Sequence, residues 1–362
     1  MGAAPSRQNE STIRRSLLIR VAALVFVSIA LFSFGLYGLI IRPTVHDLAA
    51  REMRGAVEAM QSRISQKVGQ VEYVARIART WGENGELDLD DVRTFNQRFM
   101  PMLRNSPVIS SVIFADNQGR EILLLQRPDG AWNNRITDVQ RHGKEVRWMA
   151  WQDERTLLSD ERVVKDYDPR QRPWHRGALA LERDDDLHWT QPYTFFTAQQ
   201  PGITLSTRWR RGGETYVIAF DVLLADLSRF TGSLSVGDHG HAAVLTNDGL
   251  LLALPRHPGY SSDDQVRQAL LQPAAKSPVE SLRLAVEHWE QNGRGAFFAT
   301  LGREQWITSV QPHRLQDQQL WLVAQAPLWD FIPGALRDVL LLAVLAVLAL
   351  GLGVVMAARL AR

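Results

Sequence analysis

The chain has 362 residues, 41 Lys+Arg against 39 Asp+Glu, a formal net charge of +2 and no cysteine. Without cysteine there is no disulfide framework, thiolate metal site or cysteine nucleophile. Charges this evenly mixed also exclude nucleic acid as the default partner, because clustered Lys/Arg are needed to displace counterions from phosphates.

Two uncharged apolar runs, 21–41 and 339–358, lie near the two ends. At about 1.5 Å per residue, roughly 20 apolar residues cross the hydrocarbon core, and both runs meet that length. The first is longer than a secretory signal core and lacks a clear small-x-small cleavage site, so it reads as an uncleaved anchor. Arg7, Arg14, Arg15 and Arg20 outside the first run, and Arg359 and Arg362 outside the second, are basic tips. By the positive-inside rule both termini are expected in the cytoplasm and residues 42–338 outside it. The expected division is a cytoplasmic tail (1–16), a first transmembrane helix (17–41), a second with its entry (333–358) and a cytoplasmic tip (359–362).

Residues 42–82 read as a long stalk helix. Val57, Ile64, Val71 and Ala78 recur every seven residues, with Met60, Val74 and Trp81 on a second seam. That narrow stripe suits either helix pairing in a homodimer or packing along the chain's own domain. The texture then changes to strands and turns. Residues 108–115 and 121–125 flank the turn Asp116-Asn117-Gln118-Gly119, and 203–209 and 215–220 flank Arg211-Gly212-Gly213. Residues 221–230 read as a short helix. A second copy follows: strands at 241–246 and 250–254 around Asn247-Asp248-Gly249, helices near 262–271 and 279–291, then strands at 295–300, 305–310 and 319–326. The fold class is α+β: a long N-terminal helix, then two antiparallel-sheet modules in series, distal (83–232) and proximal (233–332), flanked by two transmembrane helices.

The densest unusual cluster is Tyr167-Asp168-Pro169-Arg170-Gln171-Arg172-Pro173-Trp174-His175. Two prolines stiffen it into a loop leading into a helix. Such a loop can present a guanidinium to a carboxylate between aromatic walls. From residue types alone, Arg172 paired with Asp168 and Trp174 filling the core reads equally well. Asp238-His239-Gly240-His241 has metal-ligating residue types but no convergent third ligand, and reads as a turn entering a strand. No Gly-x-Ser-x-Gly, Walker loop or His-Glu-x-x-His is present, so no catalytic assignment is made and no cofactor is expected.

Tyr-Asp-Pro-Arg-x-Arg-Pro-Trp resembles the signature of double Cache domains, the PAS-like extracytoplasmic modules of bacterial receptors. Trp189–Tyr193, Gln200–Thr204, Val217–Asp221 and Gly237–His241 agree with it in order and spacing. In the amino-acid-binding branch the Arg-x-Trp-Tyr loop holds the ligand carboxylate, and a later Tyr and Asp engage the amine. The resemblance thus implies Tyr167, Arg172, Trp174 and His175 for the first group, and Tyr193 and Asp221 for the second. His175 stands where that branch has Tyr, and Phe195 where an acidic residue is frequent. The expectation is a non-enzymatic sensor in a bacterial inner membrane, homodimeric, taking a small anionic or zwitterionic ligand. It would signal through the second transmembrane helix to an output elsewhere in a longer protein or on a cytoplasmic partner. The alternative is a membrane-tethered envelope scaffold without a small-molecule ligand.

Overall fold

The computed structural model describes residues 7–234, 236–255, 257–292, 295–316, 318–332 and 334–360. The expected tail residues 1–6, the helix entry at Pro333 and the tip residue Arg362 lie outside them. A continuous helical rod opens the chain: α1 (Arg7–Leu36), a π-helical turn (Tyr37–Ile41) and α2 (Arg42–Glu83). The wide turn precedes Pro43, whose ring would crowd the carbonyl four residues back in a regular helix. The Thr44 hydroxyl donates to the Ile40 carbonyl at 2.6 Å there.

Among the described residues one helix is long and apolar enough to cross a membrane, beginning at Ala23. Its outward apolar side chains, such as Leu24, Leu31 and Leu39, are exposed and require an apolar solvent. At the other end α9 (Gly334–Leu360) packs against α1, but its described apolar stretch, Leu341–Gly353, is shorter than a full span.

The first sheet is built from β1 (Ser111–Asp116), β2 (Arg120–Gln126), β3 (Trp132–Asp138), β4 (Glu145–Trp151), β5 (Leu157–Val164), β6 (His188–Trp189), β7 (Tyr193–Thr194), β8 (Pro201–Arg211) and β9 (Glu214–Leu223). Its order is β5-β4-β3-β2-β1-β9-β8-β6, with β7 on β8. Along the way run α3 (Val92–Arg104), the single turn α4 (Val139–His142) and α5 (Pro173–Leu179). Gly119, at φ +96°, supplies the left-handed residue of the β1–β2 turn. After α6 (Leu224–Gly232), the second sheet has order β11-β10-β14-β13-β12. Its strands are β10 (His241–Thr246), β11 (Leu251–Ala253), β12 (Ala296–Leu301), β13 (Glu304–Leu315) and β14 (Gln318–Pro327), with α7 (Asp263–Ala269) and α8 (Glu280–Asn292) between β11 and β12. Both sheets are antiparallel, and the architecture is α+β.

The heptad seam on α2 is spent on this chain's own core. Val57, Met60, Ile64, Val71, Val74 and Ala78 are buried, and α2 packs on β8 and β9 of one sheet and β13 and β14 of the other. Of the two readings the stripe allowed, this is packing along the chain's own domain. The physical reason is that a seam flush with two sheets removes more apolar surface from water than one helix could. Trp209 is wedged against the end of α2, where a Cβ on Gly82 would lie 2.1 Å from its ring. The short helix expected from residue 221 starts only at Leu224, so Asp221 belongs to β9. The strands β3–β5 and the helix α3 were not foreseen.

Candidate ligand site

Strand alternation builds the site. On β9, Ile218, Phe220 and Val222 face the α2–α3 core, while Val217, Ala219 and Asp221 face the other side of the sheet. Cross-strand pairing sets Asp221 beside Ser111 on β1 and Thr204 on β8. The Ser111 hydroxyl donates to Asp221 Oδ2 at 2.5 Å and that of Thr204 to Oδ1 at 2.6 Å. Tyr193 on β7 meets the Thr204 hydroxyl at 2.7 Å. Burial pushes the Asp221 carboxyl up to about 6, against the two hydroxyl bonds that favour its charged form.

Next to it lies a buried charged cycle. Arg135 on β3 donates from Nε and Nη2 to Glu121 Oε1, at 3.0 and 2.7 Å. Its Nη2 also reaches the Tyr167 hydroxyl at 2.6 Å, and that hydroxyl donates to Glu121 Oε2 at 2.5 Å. A further donor goes to the Thr197 hydroxyl. The guanidinium lies 3.8 Å from the Tyr167 ring centroid. Arg135, Glu121, Ser111 and Thr204 were invisible to motif reading. The signal available was a charged or hydroxylic residue at an inward position of an otherwise apolar strand.

Of the residues implied by the resemblance, Tyr167, Arg172, Trp174, Tyr193 and Asp221 line one cavity of about 1400 Å³. His175 does not line it. It is fully buried on α5, where burial lowers its pKa. Its Nε2 faces the Asp116 carbonyl at 2.9 Å, and since a carbonyl only accepts, Nε2 carries the proton. The Asp168–Arg172 pair does not form either: Asp168 is taken by Arg170 at 2.8 Å. Arg172 gives one hydrogen bond, from Nη2 to the Thr194 carbonyl at 3.0 Å, and lies 5.3 Å from the Tyr193 ring centroid. The residue lines the cavity, and its remaining donors have no carboxylate partner among the described residues. Trp174 is both core and wall, 1% exposed yet part of the lining. Of the two histidines weighed as metal ligands, His239 is exposed and bonded to Asp330, whereas His241 is buried on Ser281. They serve separate contacts.

The site continues physically toward the second sheet. Strand β9 runs from Asp221 into α6. On α6 the Ser228 hydroxyl accepts from the Leu254 amide at 3.2 Å, and Thr231 Oγ1 donates to the Leu254 carbonyl. Beyond it, the His239 amide and Nδ1 hold Asp330 at 2.8 and 2.9 Å, just before α9.

No protein-family model matches the chain. Over 171 residues, 46% of this chain and 24% of the relative, it is 28% identical to the methyl-accepting chemotaxis protein McpC of Bacillus subtilis. Over 106 residues, 29% of this chain and 15% of the relative, it is 31% identical to the methyl-accepting chemotaxis protein PctB of Pseudomonas aeruginosa. Its matches thus span a quarter or less of these relatives' own length. Among solved structures, methyl-accepting chemotaxis protein X superposes with a TM-score of 0.50 at 15% identity, covering 78% of this chain and 99% of that one. Two antiparallel modules in series on one long N-terminal helix give this chain the double Cache fold of chemoreceptor sensor domains.

Proposed function

We propose that the chain is a membrane-anchored extracytoplasmic sensor that takes a small anionic or zwitterionic ligand in the distal cavity and relays the event to α9. The observation that carries this reading is that Arg172, with most of its donors unused, lines the same cavity as the hydroxyl-bonded carboxyl of Asp221. A guanidinium in a half-buried aromatic setting is suited to a carboxylate, bidentate and planar. Asp221 and Tyr193 offer acceptors to whatever polar group lies at the other end of the ligand.

The relay follows covalent and packed continuity. A ligand that draws β7 and β9 together pulls on α6, and α6 is bonded to Leu254 of the proximal module. The loop carrying His239 is fastened to Asp330 at the foot of α9. Such a ligand shifts the receptor only as far as its affinities for the two conformations differ, commonly about 1–3 kcal/mol of coupling.

The direct test is thermal shift and calorimetry on the detergent-solubilised chain against amino acids, amines and small organic acids. Arg172→Ala is expected to weaken the best carboxylate about 10- to 150-fold, the equivalent of a lost charged hydrogen bond. Because Arg172 is half-exposed and makes one bond, its unfolding temperature should stay close to that of the wild type. Unchanged affinity in Arg172→Ala, or no responding compound, sinks the pocket assignment.

With the inward seam consumed, a homodimer along α2 has its outward face to use. Gly55, Ala59, Ser62, Gln66, Gly69 and Tyr73 are all exposed and alternate in steps of four and three, which is the period of paired helices. The absence of native cysteine makes the check simple. Ser62→Cys and Tyr73→Cys should cross-link in oxidised membranes, whereas Val71→Cys, buried against the chain's own sheets, should not. The reverse pattern removes the dimer.

A further inference from the structure

The cavity is larger than the cluster around Arg172. At about 1400 Å³ it exceeds the roughly 300–1,000 Å³ of pockets that hold drug-sized ligands. It runs from the distal sheet past α6 to the loop 237–240 and the start of α7.

Its charged residues come from both modules. Five of the arginines on its walls already have carboxylates: Arg104 with Glu154, Arg127 with Asp129, Arg135 with Glu121, Arg229 with Asp226 and Arg267 with Asp264. Arg172 has none among the described residues. From the proximal module, Asp238 before β10 and Asp263 at the start of α7 line the same cavity, and neither carboxylate has an ion pair or hydrogen bond among the described residues. On the distal side, Gln126 at the end of β2 and Gln200 just before β8 carry side-chain amides without a partner among the described residues.

Accepting the distal cavity as the ligand site, we infer that its ligand is an elongated zwitterion of the short-peptide class. The terminal carboxylate would lie on Arg172 and the terminal ammonium in the cleft between α6 and α7, near Asp238 and Asp263. An extended tripeptide spans about 10 Å, and its amides would find donors and acceptors in Gln126 and Gln200. A free amino acid would place both of its charges at the Arg172 end and leave the second half of the cavity to water. An elongated ligand instead touches both modules at once, which ties its binding directly to the contact between them.

The experiment is calorimetry on the full detergent-solubilised chain with a mixed-sequence tripeptide panel, the twenty free amino acids, and C-amidated and N-acetylated forms of the best tripeptide. The best tripeptide should bind at least tenfold more tightly than the best amino acid. C-amidation and Arg172→Ala should each weaken that binding about 10- to 150-fold. N-acetylation should weaken it about tenfold, and Asp238→Asn combined with Asp263→Asn should weaken the tripeptide by a similar factor while leaving any amino acid or organic acid unaffected. If a single amino acid matches every tripeptide and depends on Arg172, the ligand-site reading stands and the elongated ligand is refuted. If every responding compound binds Arg172→Ala as tightly as the wild type, the site itself is misplaced. If the paired Asn substitutions leave the tripeptide affinity unchanged, the second anchor is refuted.

Discussion

Arg135→Ala is expected to be among the most destabilising single substitutions in the distal module, by about 3–5 kcal/mol, because it strands Glu121 as an unpaired buried charge. Both partners are essentially without solvent contact, at 2% and 0% side-chain exposure. Glu121 also accepts from the Tyr167 hydroxyl, a neutral donor that cannot offset its charge when the guanidinium goes. The comparison that isolates this cause is Arg135→Met combined with Glu121→Met. Removing both charges while keeping volume should recover most of the loss, because a buried ion pair contributes less than its disruption costs. Chemical denaturation of the solubilised chain reads the difference. If Arg135→Ala unfolds at the wild-type midpoint, or if the double variant is no better than the single one, the cycle is not a closed buried unit. The cycle also fixes Tyr167, so ligand affinity should fall in Arg135→Ala even at temperatures where it remains folded.

How far the sequence carried depends on where polar side chains find their partners. Strands β8 and β9 were legible because alternating inward apolar residues end at a Gly-Gly turn, and the two related turns before β2 and β11 were legible for the same reason. Strands β3, β4 and β5 were not. In β3 the buried positions include Asn134 and Arg135 beside Trp132, and what permits that is distant: Asn134 trades amide hydrogen bonds with Asn96 of α3, at 2.8 and 2.9 Å, and Arg135 meets Glu121. A pattern that needs a partner 38 residues away cannot be recognised by its period. Helix α3 was hidden in part by Pro101 inside it. The short helix was read from residue 221, whereas it starts at Leu224 and the Asp221 carboxylate is occupied by hydroxyls of two neighbouring strands. The α2 stripe was visible, but a seven-residue period does not say whether the surface it meets is another helix or the chain's own sheets. At the site, the aromatic and arginine residues were legible through the loop motif. The hydroxyls of Ser111 and Thr204 were not, because they enter by strand register alone.

Asp221→Asn should make the protein more stable at pH 7.5 while impairing its response to ligands with a cationic nitrogen. The carboxyl is 4% exposed, and burial raises its pKa from 3.8 to about 6. The folded state therefore holds this proton more tightly than the unfolded chain does. The resulting contribution to stability is fully present below about pH 3.8 and is lost as the pH rises through about 6. Above that, the ionised carboxylate costs the fold about 3 kcal/mol relative to its neutral form. Asn keeps the size and the hydrogen-bonding contact with Ser111 and Thr204 but carries no charge to desolvate. Unfolding midpoints of the two proteins should thus converge near pH 4 and separate in favour of Asp221→Asn as the pH passes 6. A variant that is less stable than the wild type at pH 7.5 would mean that the hydroxyl pair compensates the buried charge fully. In the ligand assay the same charge works in the opposite direction: a ligand cation beside Asp221 should bind more weakly as the pH falls below 6, and a simple carboxylate should not. A buried, ionisable group that weakens the fold at neutral pH and sits on the wall of a cavity is what a binding site, rather than a packing core, would retain.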